Sequence, residues 1–243
     1  MKVLLEVAVF TMAGALEAIQ AGAHRLELCE NAHDGGTTPS KACLDRMMTL
    51  SPIPVFPIIR PRGGDFVYSE EEKEIILNDI AYCRTLGFPG VVSGGLLRNG
   101  QIDTDFLHRC IEAAGSMEFT FHRAFDRCAH PVTALEEIIS AGAKRILSSG
   151  QYPVLPAGIP LLKQLVDKAQ GRIIIMPGSG LTQHTVEQVV RETGAREVHT
   201  SARKTISHPD TFQPSTFPET MHYTGVDADE IQSILRILAD IQS

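Results

Sequence analysis

Several features that define other classes of protein are missing from this sequence. No uninterrupted apolar run approaches the roughly 18 residues that would suggest a membrane span, so we expect no membrane partner. Near the N-terminus, Glu6 interrupts the apolar stretch from Val3 to Phe10 and no cleavage site follows. This stretch is therefore predicted to be a strand and not a signal peptide. We expect the protein to lie in the cytoplasm.

Paired cysteines are also missing. The 5 cysteines are widely spaced and include no C-x-x-C pair, so the sequence predicts neither a disulfide framework nor a structural zinc site. Reduced thiols are the expected state, most of them serving as small buried apolar side chains.

The sequence has no excess of basic charge. Its formal net charge of −7 argues against broad attachment to nucleic acid or to anionic membranes, which requires clustered lysine and arginine. An anionic ligand must then be held by local groups. A hydrophobic fraction of 43% and a length of 243 residues are typical of one globular domain with a large core.

What the sequence does contain is an internal repeat. A helix-like segment ends in glycine and leads directly into a short β-prone run around Gly22, Gly87, Gly142 and Gly194. Each stretch between two copies contains another β-prone run, so one copy corresponds to two βα units. The strands are predicted at residues 4–9, 26–28, 55–59, 91–93, 119–121, 146–148, 173–176 and 198–199.

This repeat predicts an α/β fold, a single (β/α)8 TIM barrel over residues 1–243. The alternative is an open Rossmann-like sheet. It is disfavoured because no G-x-G-x-x-G follows the first strand and because the repeat continues to the end of the chain.

The connecting segments carry signals of their own. Ser69 and Glu72 form a capping-box pattern, which predicts the start of a helix there. The segment 203–224 contains three prolines and no helical periodicity, so we expect a long irregular loop over the barrel mouth. A final helix is predicted at about 227–242.

Acidic and imidazole side chains are expected inside the barrel. Strand alternation predicts that Glu6, Glu27 and His122 point inward, toward the end where barrel enzymes carry out their chemistry. One interpretation is structural: Glu6 and Glu27 balance Arg60 or Arg62 in an inner layer of ion pairs. The other is catalytic, with one carboxylate as a general acid or base and His122 as a titrating group.

Anion-binding groups follow several predicted strands. Two arginines flank a proline and precede two glycines after strand three, which is the composition of an anion site or of a loop pinned by arginine–carboxylate pairs. Small residues after strands seven and eight are typical of phosphate sites, although Gly-Ser-Gly also suits an ordinary tight turn. The candidate anion-binding residues are Arg60, Arg62, Arg123, Ser149, Gly178, Ser179, Gly180, His199 and Ser201.

Metal and Schiff-base chemistry have weaker support. No H-x-H or H-E-x-x-H spacing occurs, and Cys29 has no nearby partner in the sequence. A thiolate at Cys29 would favour Cu(I), whereas an isolated strand cysteine is usually part of the core. No lysine ends a predicted strand, which argues against Schiff-base aldol chemistry and leaves proton transfer or hydrolysis.

The run P-I-I-R-P-R-G-G-D-F at residues 57–66 resembles the CutC family of copper homeostasis proteins. Similar motifs follow the family's order at residues 26–29, 35–40, 87–90, 121–126, 149–151, 176–178 and 197–199. The resemblance covers essentially Met1 to Arg203. It implies a barrel, a cytoplasmic location, self-association into a homo-oligomer and a role in copper handling with bound copper(I).

The resemblance also implies where copper(I) would bind. In members proposed to bind Cu(I), one cysteine follows the Glu-Val of strand one and another ends the Leu-Cys of strand two. This chain has Cys29 at the second position and Ala8 at the first, so those positions do not build a two-thiolate site. Three hypotheses remain. The chain is a copper-binding homeostasis protein, an enzyme that acts on a small anionic metabolite such as a phosphorylated compound, or a non-catalytic binding barrel.

Overall fold

Eight parallel strands alternate with helices in the computed structural model, which describes residues 3–208, 210–216 and 221–242. The strands are β1 Leu4–Val9, β2 Arg25–Leu28, β3 Val55–Pro57, β4 Gly90–Ser93, β5 Glu118–Phe121, β6 Arg145–Ser148, β7 Ile174–Pro177 and β8 Glu197–Thr200. The helices are α1 Met12–Gln20, α2 Lys41–Leu50, α3 Glu70–Leu86, α4 Thr104–Ala114, α5 Pro131–Ala141, α6 Ile159–Ala169, α7 Val186–Thr193 and α8 Ala228–Gln242. Every strand predicted from the repeat is present.

The strands close into a barrel. Two parallel sheets have the orders β3-β2-β1-β8 and β4-β5-β6-β7. Between β3 and β4, Ile58 forms a parallel bridge with Val92, and the N–H of Ile59 donates to the Val92 carbonyl at 2.7 Å. On the other side, β7 lies beside β8. The prediction of a (β/α)8 barrel is confirmed.

Glycines at the helix ends explain the repeat. The φ angles of Gly22, Gly87, Gly142 and Gly194 are 98°, 85°, 95° and 71°, in the left-handed region that residues with a Cβ rarely adopt. This conformation ends each helix and turns the chain into the next strand. The capping box of Ser69 and Glu72 is present at the start of α3, as predicted.

The third residue after each of these glycines contributes to one layer of the barrel interior. The layer consists of Arg25, Gly90, Arg145 and Glu197, from the four even-numbered strands. Glu197 accepts hydrogen bonds from both arginines, and Arg25 also forms an ion pair with the fully buried Glu6. We call these charged residues, with Glu6, the ionic layer.

A glycine in this layer makes room for an aromatic ring. A Cβ on Gly90 would lie 2.5 Å from the Phe56 ring, so the ring occupies the space that a side chain would fill. The same ring lies 4.9 Å from the Arg25 guanidinium and 5.1 Å from that of Arg145. Phe56 therefore stabilises both cations by cation–π contact inside the barrel.

The ionic layer corrects the structural interpretation of the two carboxylates. Arg25 is the ion-pair partner of Glu6, where Arg60 or Arg62 was expected. The reason is geometric: Arg25 begins a strand that pairs directly with β1, with Glu6 and Arg25 in register. Arg60 and Arg62 lie beyond the end of β3, in the loop above the barrel.

The segment 203–224 is not irregular throughout, so that prediction is wrong for both of its ends. Residues Arg203–Ser207 form β9 and His222–Val226 form β10, an antiparallel pair. The three prolines lie between these strands, which is why they do not interrupt the pairing. Residues 209 and 217–220 lie outside the described residues. The final helix, α8, follows at the predicted place.

The remaining expectations concern thiols and membranes. All five cysteines are free thiols, and Cys43 alone among them is only half-buried. In the part of the chain that the structure describes, we find no helix with the length and apolar character to cross a membrane.

The contact between Gly90 and Phe56 leads to a stability prediction. We expect Gly90→Ala to lower the free energy of unfolding by about 1–3 kcal/mol, because the added methyl group overpacks the ring. Urea denaturation of the purified chain measures this. In a Phe56→Leu background the cost of Gly90→Ala should be smaller. An equal cost in both backgrounds would contradict the proposed clash with the ring.

Candidate active site

A cavity of about 350 Å³ opens at the carboxyl ends of the strands. Its floor is formed by Glu27, Leu147 and His199, each two residues beyond a member of the ionic layer on the same strand. The side chains of the next level, including Ala8, Ile58 and His122, form the wall. The rim is formed by Arg60, Phe66, Arg123, Ser179, Gly180, Ser201 and Arg203.

Glu6 holds one residue of the floor in place. Its Oε1 lies 2.8 Å from Nδ1 of His199. Burial alone would raise the pKa of Glu6, but Arg25 and His199 together lower it to about 2. Glu6 is therefore a carboxylate at every physiological pH, and Nδ1 of His199 must be the donor in this hydrogen bond.

His199 lies between two carboxyl groups. Its Nε2 is 3.9 Å from Oε2 of Glu27, on the opposite side of the ring from Glu6. Burial lowers the pKa of His199, but the hydrogen bond to Glu6 and the charges of Glu27 and Glu6 raise it to a net value above 6.5. A proton on His199 is thus stabilised by a carboxyl group on each side of the ring, Glu6 and Glu27.

Glu27 has the opposite electrostatic environment to Glu6. Burial raises its pKa and the nearby Glu6 charge adds to that effect, while His199 and the thiol of Cys29 oppose it. No arginine forms an ion pair with Glu27 among the described residues, and its Oε1 has no hydrogen-bond partner there. Glu27 is a carboxyl group of raised basicity at the bottom of an open cavity.

His122 is a neutral donor in the wall. The backbone N–H of Ala124 donates to its Nδ1 at 3.3 Å, so the ring proton lies on Nε2. Burial and the Arg60 charge lower the pKa of His122 to about 3. Nε2 is buried and has no partner in the described part of the chain. The imidazole therefore stays uncharged and presents an N–H group.

Arg60 fixes the loops of the rim. Its guanidinium donates to the backbone carbonyls of Asp34, Gly36 and Gly64, at 2.6, 3.0 and 2.9 Å. It also stacks 4.8 Å above the Phe66 ring. Only Nε is left without a partner among the described residues, so Arg60 contributes mainly position and positive charge to the site.

Two arginines and two loops make the rim suitable for an anion. Arg123 and Arg203 line the cavity. Burial lowers the pKa of Arg203 and the Arg123 charge adds to that effect, while Cys29 and Glu27 oppose it. Ser179 and Gly180 have consecutive positive φ angles of 78° and 77°. The backbone N–H groups of Ser179, Gly180 and Ser201 donate to no atom of the described residues, so they are available to a ligand.

Other candidate residues lie outside the cavity lining. Arg62 is held by Glu72 and Asp65, as the alternative of a pinned loop predicted. Ser149 is fully buried and bound to Asp126. The N–H of Gly178 already donates to Ser148 at 2.9 Å. Glu6 is fully buried beneath the floor.

The thiol of Cys29 does not suit a copper(I) site. It is 1% exposed and lies 3.5 Å from Oε2 of Glu27. Burial and the Glu27 charge raise its pKa well above 9.0, which disfavours the thiolate that Cu(I) requires. Ala8 supplies no second sulfur, and no group of three or more His, Cys, Asp or Glu side chains able to hold a metal occurs within the described ranges. The residues present do not fit a resident copper ion.

Comparison with known proteins decides the family. The CutC family model matches residues 3–204. The chain belongs to the CutC family. A CutC family protein from Parabacteroides distasonis is 42% identical over 234 residues, 96% of each chain. The Homo sapiens protein named copper homeostasis protein cutC homolog is 41% identical over 202 residues, covering 83% of this chain and 74% of the human one.

A solved CutC structure has the same architecture. The CutC protein from Streptococcus agalactiae superposes with a TM-score of 0.77 and 32% identity, covering 82% of this chain and 98% of that protein. The family predicted from the sequence motifs is confirmed, and with it a place among proteins named for copper homeostasis.

Sequence reasoning missed four residues that shape the site: Arg25, Arg145, Glu197 and Arg203. The signal for the first three was present, because each lies three residues after a repeat glycine. Arg203 gave no such signal, because its place in the rim depends on the pairing of β9 with β10.

Removal of the charge of Glu6 or of Glu27 should have opposite effects on the free energy of unfolding. The pKa of Glu6 is lowered on folding, so its contribution is present above pH 4.5 and is lost as pH falls toward about 2. We expect Glu6→Gln to lower the free energy of unfolding at pH 7 by roughly 3–5 kcal/mol, because Arg25 loses a buried partner.

Glu27 is the matched comparison. A carboxyl group with a raised pKa binds its proton more tightly in the folded protein than in the unfolded chain. Its ionisation therefore lowers the free energy of unfolding as pH rises above 4.5. We expect Glu27→Gln to raise the free energy of unfolding at pH 8 and to change it less at pH 4. Denaturant titrations at both pH values measure this. Destabilisation by Glu27→Gln that matches that of Glu6→Gln would show that the two environments do not differ.

Proposed function

We propose that this chain is an enzyme that moves a proton next to a carbonyl group of a small anionic metabolite. One observation carries the proposal: three buried polar atoms of the cavity residues, Glu27 Oε1, Arg60 Nε and His122 Nε2, bind no described protein atom. Buried polar groups in folded proteins nearly always have partners. A ligand with matching donors and acceptors would supply them.

Glu27 is the proposed general base. Its carboxylate removes a proton from the carbon next to the substrate carbonyl, and the bonding electrons shift to place negative charge on the carbonyl oxygen. The raised pKa strengthens Glu27 as a base near neutral pH. In the return step Glu27 delivers the proton to the former carbonyl carbon, and the hydroxyl proton of the first carbon passes to the former carbonyl oxygen by way of His122 Nε2. The carbonyl and hydroxyl groups thereby exchange places, and atoms and charge balance over the cycle.

His122 is the proposed electrophile. Its Nε2–H donates to the carbonyl oxygen and stabilises the negative charge that develops there. A neutral imidazole suits this role because it does not give up its proton prematurely, and a pKa of about 3 keeps it neutral. The Arg60 charge beside it adds electrostatic stabilisation.

His199 and Glu6 support the base. Glu6 fixes the ring of His199 through Nδ1, and Nε2 then faces Oε2 of Glu27. A protonated His199 limits how far burial raises the pKa of Glu27. We expect this balance to keep Glu27 ionised in the resting enzyme.

The anionic part of the substrate is expected at the rim. Arg123 and Arg203 supply positive charge there, and the free N–H groups of the loops after β7 and β8 supply hydrogen-bond donors. These two loops are where many barrels bind phosphate. We therefore favour phosphorylated metabolites as the substrates. Carboxylates are the other class of anion that these groups would bind.

The cytoplasm is the compartment we propose for this activity, because five free thiols suit a reducing environment. Assembly into a homo-oligomer stays a prediction from the family resemblance.

Proton exchange tests the reaction directly. The chain is incubated in D2O with dihydroxyacetone phosphate, ribulose 5-phosphate and ribose 5-phosphate, and loss of carbon-bound protons is followed by NMR. We expect exchange with at least one of these, and a rate about 10²–10⁴ lower in Glu27→Gln because the base is removed. Arg62→Gln is the control, since Arg62 belongs to the same loop as Arg60 but not to the cavity. Exchange that persists in Glu27→Gln would refute the role of Glu27.

Copper(I) binding is the second candidate, favoured by the names of the relatives. Titration with Cu(I) against a competing chelator tests it. Because the Cys29 thiol is buried beside Glu27, we expect weak binding that is equal in wild type and Cys29→Ala. Ala8→Cys adds the missing sulfur and should increase the affinity about tenfold or more. Tight binding by wild type that Cys29→Ala abolishes would instead establish copper as the ligand.

A further inference from the structure

A second cavity lies beside the mouth of the first. This groove has a volume of about 520 Å³ and is lined by Phe10, Thr11, Asn31, Ala32, His33, Arg203, His222, Tyr223 and Thr224. Four of these residues, Phe10, Ala32, His33 and Arg203, also line the active-site cavity. The two spaces therefore meet along a shared wall.

Arg203 is fixed at this wall by two contacts. Its guanidinium lies 4.6 Å above the centre of the Phe10 ring, and its Nη1 donates to the Ala32 carbonyl at 3.2 Å. Arg203 forms no ion pair with a carboxylate among the described residues. Its charge thus lies at the junction of the two cavities, where the charge of Glu27 in the floor acts on it without a direct ion pair.

The far side of the groove has the chemistry of a site for a flat, polar group. Three side chains carry rings, His33, His222 and Tyr223, and the Tyr223 side chain is accessible, with 41% of its surface exposed. Hydroxyl and amide groups from Thr11, Asn31 and Thr224 lie among them. Rings provide stacking surfaces. Thr11 Oγ1 already accepts from the Gly14 N–H and the Asn31 amide donates to Asp34, so the edge of a heteroaromatic ring would be bound by the Thr11 O–H, the Asn31 carbonyl oxygen and the Thr224 hydroxyl.

The arrangement assigns a substrate with three parts, an inference that rests on the proposed function. We propose that the reactive carbonyl lies over Glu27, that the anionic group lies beside Arg203, and that a heteroaromatic ring beyond the anionic group lies in the groove. The substrate class is then a phosphorylated metabolite that carries a heteroaromatic substituent.

Two probes that differ only in the ring test this assignment. Adenosine 5′-monophosphate and methyl β-D-ribofuranoside 5-phosphate share the phosphate and the sugar and both lack a free carbonyl, but only the first carries a heteroaromatic base. Their affinities for the full chain are measured by calorimetry. We expect the first to bind at least tenfold more tightly, because only its base stacks in the groove. Equal affinities would overturn the assignment.

Variants locate the source of the difference. Tyr223→Ala should bring the two affinities together while leaving that of the methyl riboside phosphate unchanged, and Tyr223→Phe should restore the difference because it keeps the ring. Phe212→Ala is the control, since Phe212 lies between β9 and β10, is 84% exposed and does not line the groove. If Tyr223→Ala weakens both probes equally, the groove does not bind the ring.

The test separates this inference from the proposed reaction. Deuterium exchange that depends on Glu27, together with no preference for the base, would overturn only the groove assignment. A preference for the base that depends on Tyr223, together with no exchange, would support the groove and overturn the proton-transfer reaction.

Discussion

The ion pair between Arg25 and Glu6 is the interaction on which the rest of the site depends. Both groups lie in the middle of an apolar barrel, where an unpaired charge would be very costly. Glu197 shares Arg25 with Glu6, and the ring of Phe56 covers the two arginines of the layer. Because this layer neutralises its own charges, it forms a fixed base. One oxygen of Glu6 remains free to hold His199 in the floor above.

The result is a pair of glutamates with different roles on neighbouring strands. Glu6 forms an ion pair with an arginine and a hydrogen bond with an imidazole, whereas Glu27, in the next level, forms no ion pair with an arginine among the described residues and lies beside the imidazole and a thiol. Environments that shift two carboxyl pKa values in opposite directions are common in enzymes that need one fixed charge and one mobile proton. A barrel produces this difference readily, because successive levels differ by only two residues along each strand. The cavity then opens above the group with the raised pKa.

Much of the fold followed from the sequence, because local signals determine it. Glycine at Gly22, Gly87, Gly142 and Gly194 marks helix ends through backbone sterics alone, and strand alternation predicted that Glu27 and His122 reach the cavity. The partners of these residues were harder to predict, because they depend on register and on loop packing. Arg62 lies only two residues after Arg60, yet it reaches Glu72 in α3. The pairing of β9 with β10 gave an even weaker signal in the sequence, because β9 is half exposed and three prolines follow in the connecting segment.

The position of β10 in the chain has a consequence for how the family is understood. The region that defines the family ends at residue 204, whereas His222–Val226 lie beyond it. The residues of the cavity floor therefore lie inside the region that the family model matches, while one wall of the adjoining groove lies outside it. A match to the family model alone therefore does not describe that wall, and a comparison of ligands between this chain and a relative has to include β10.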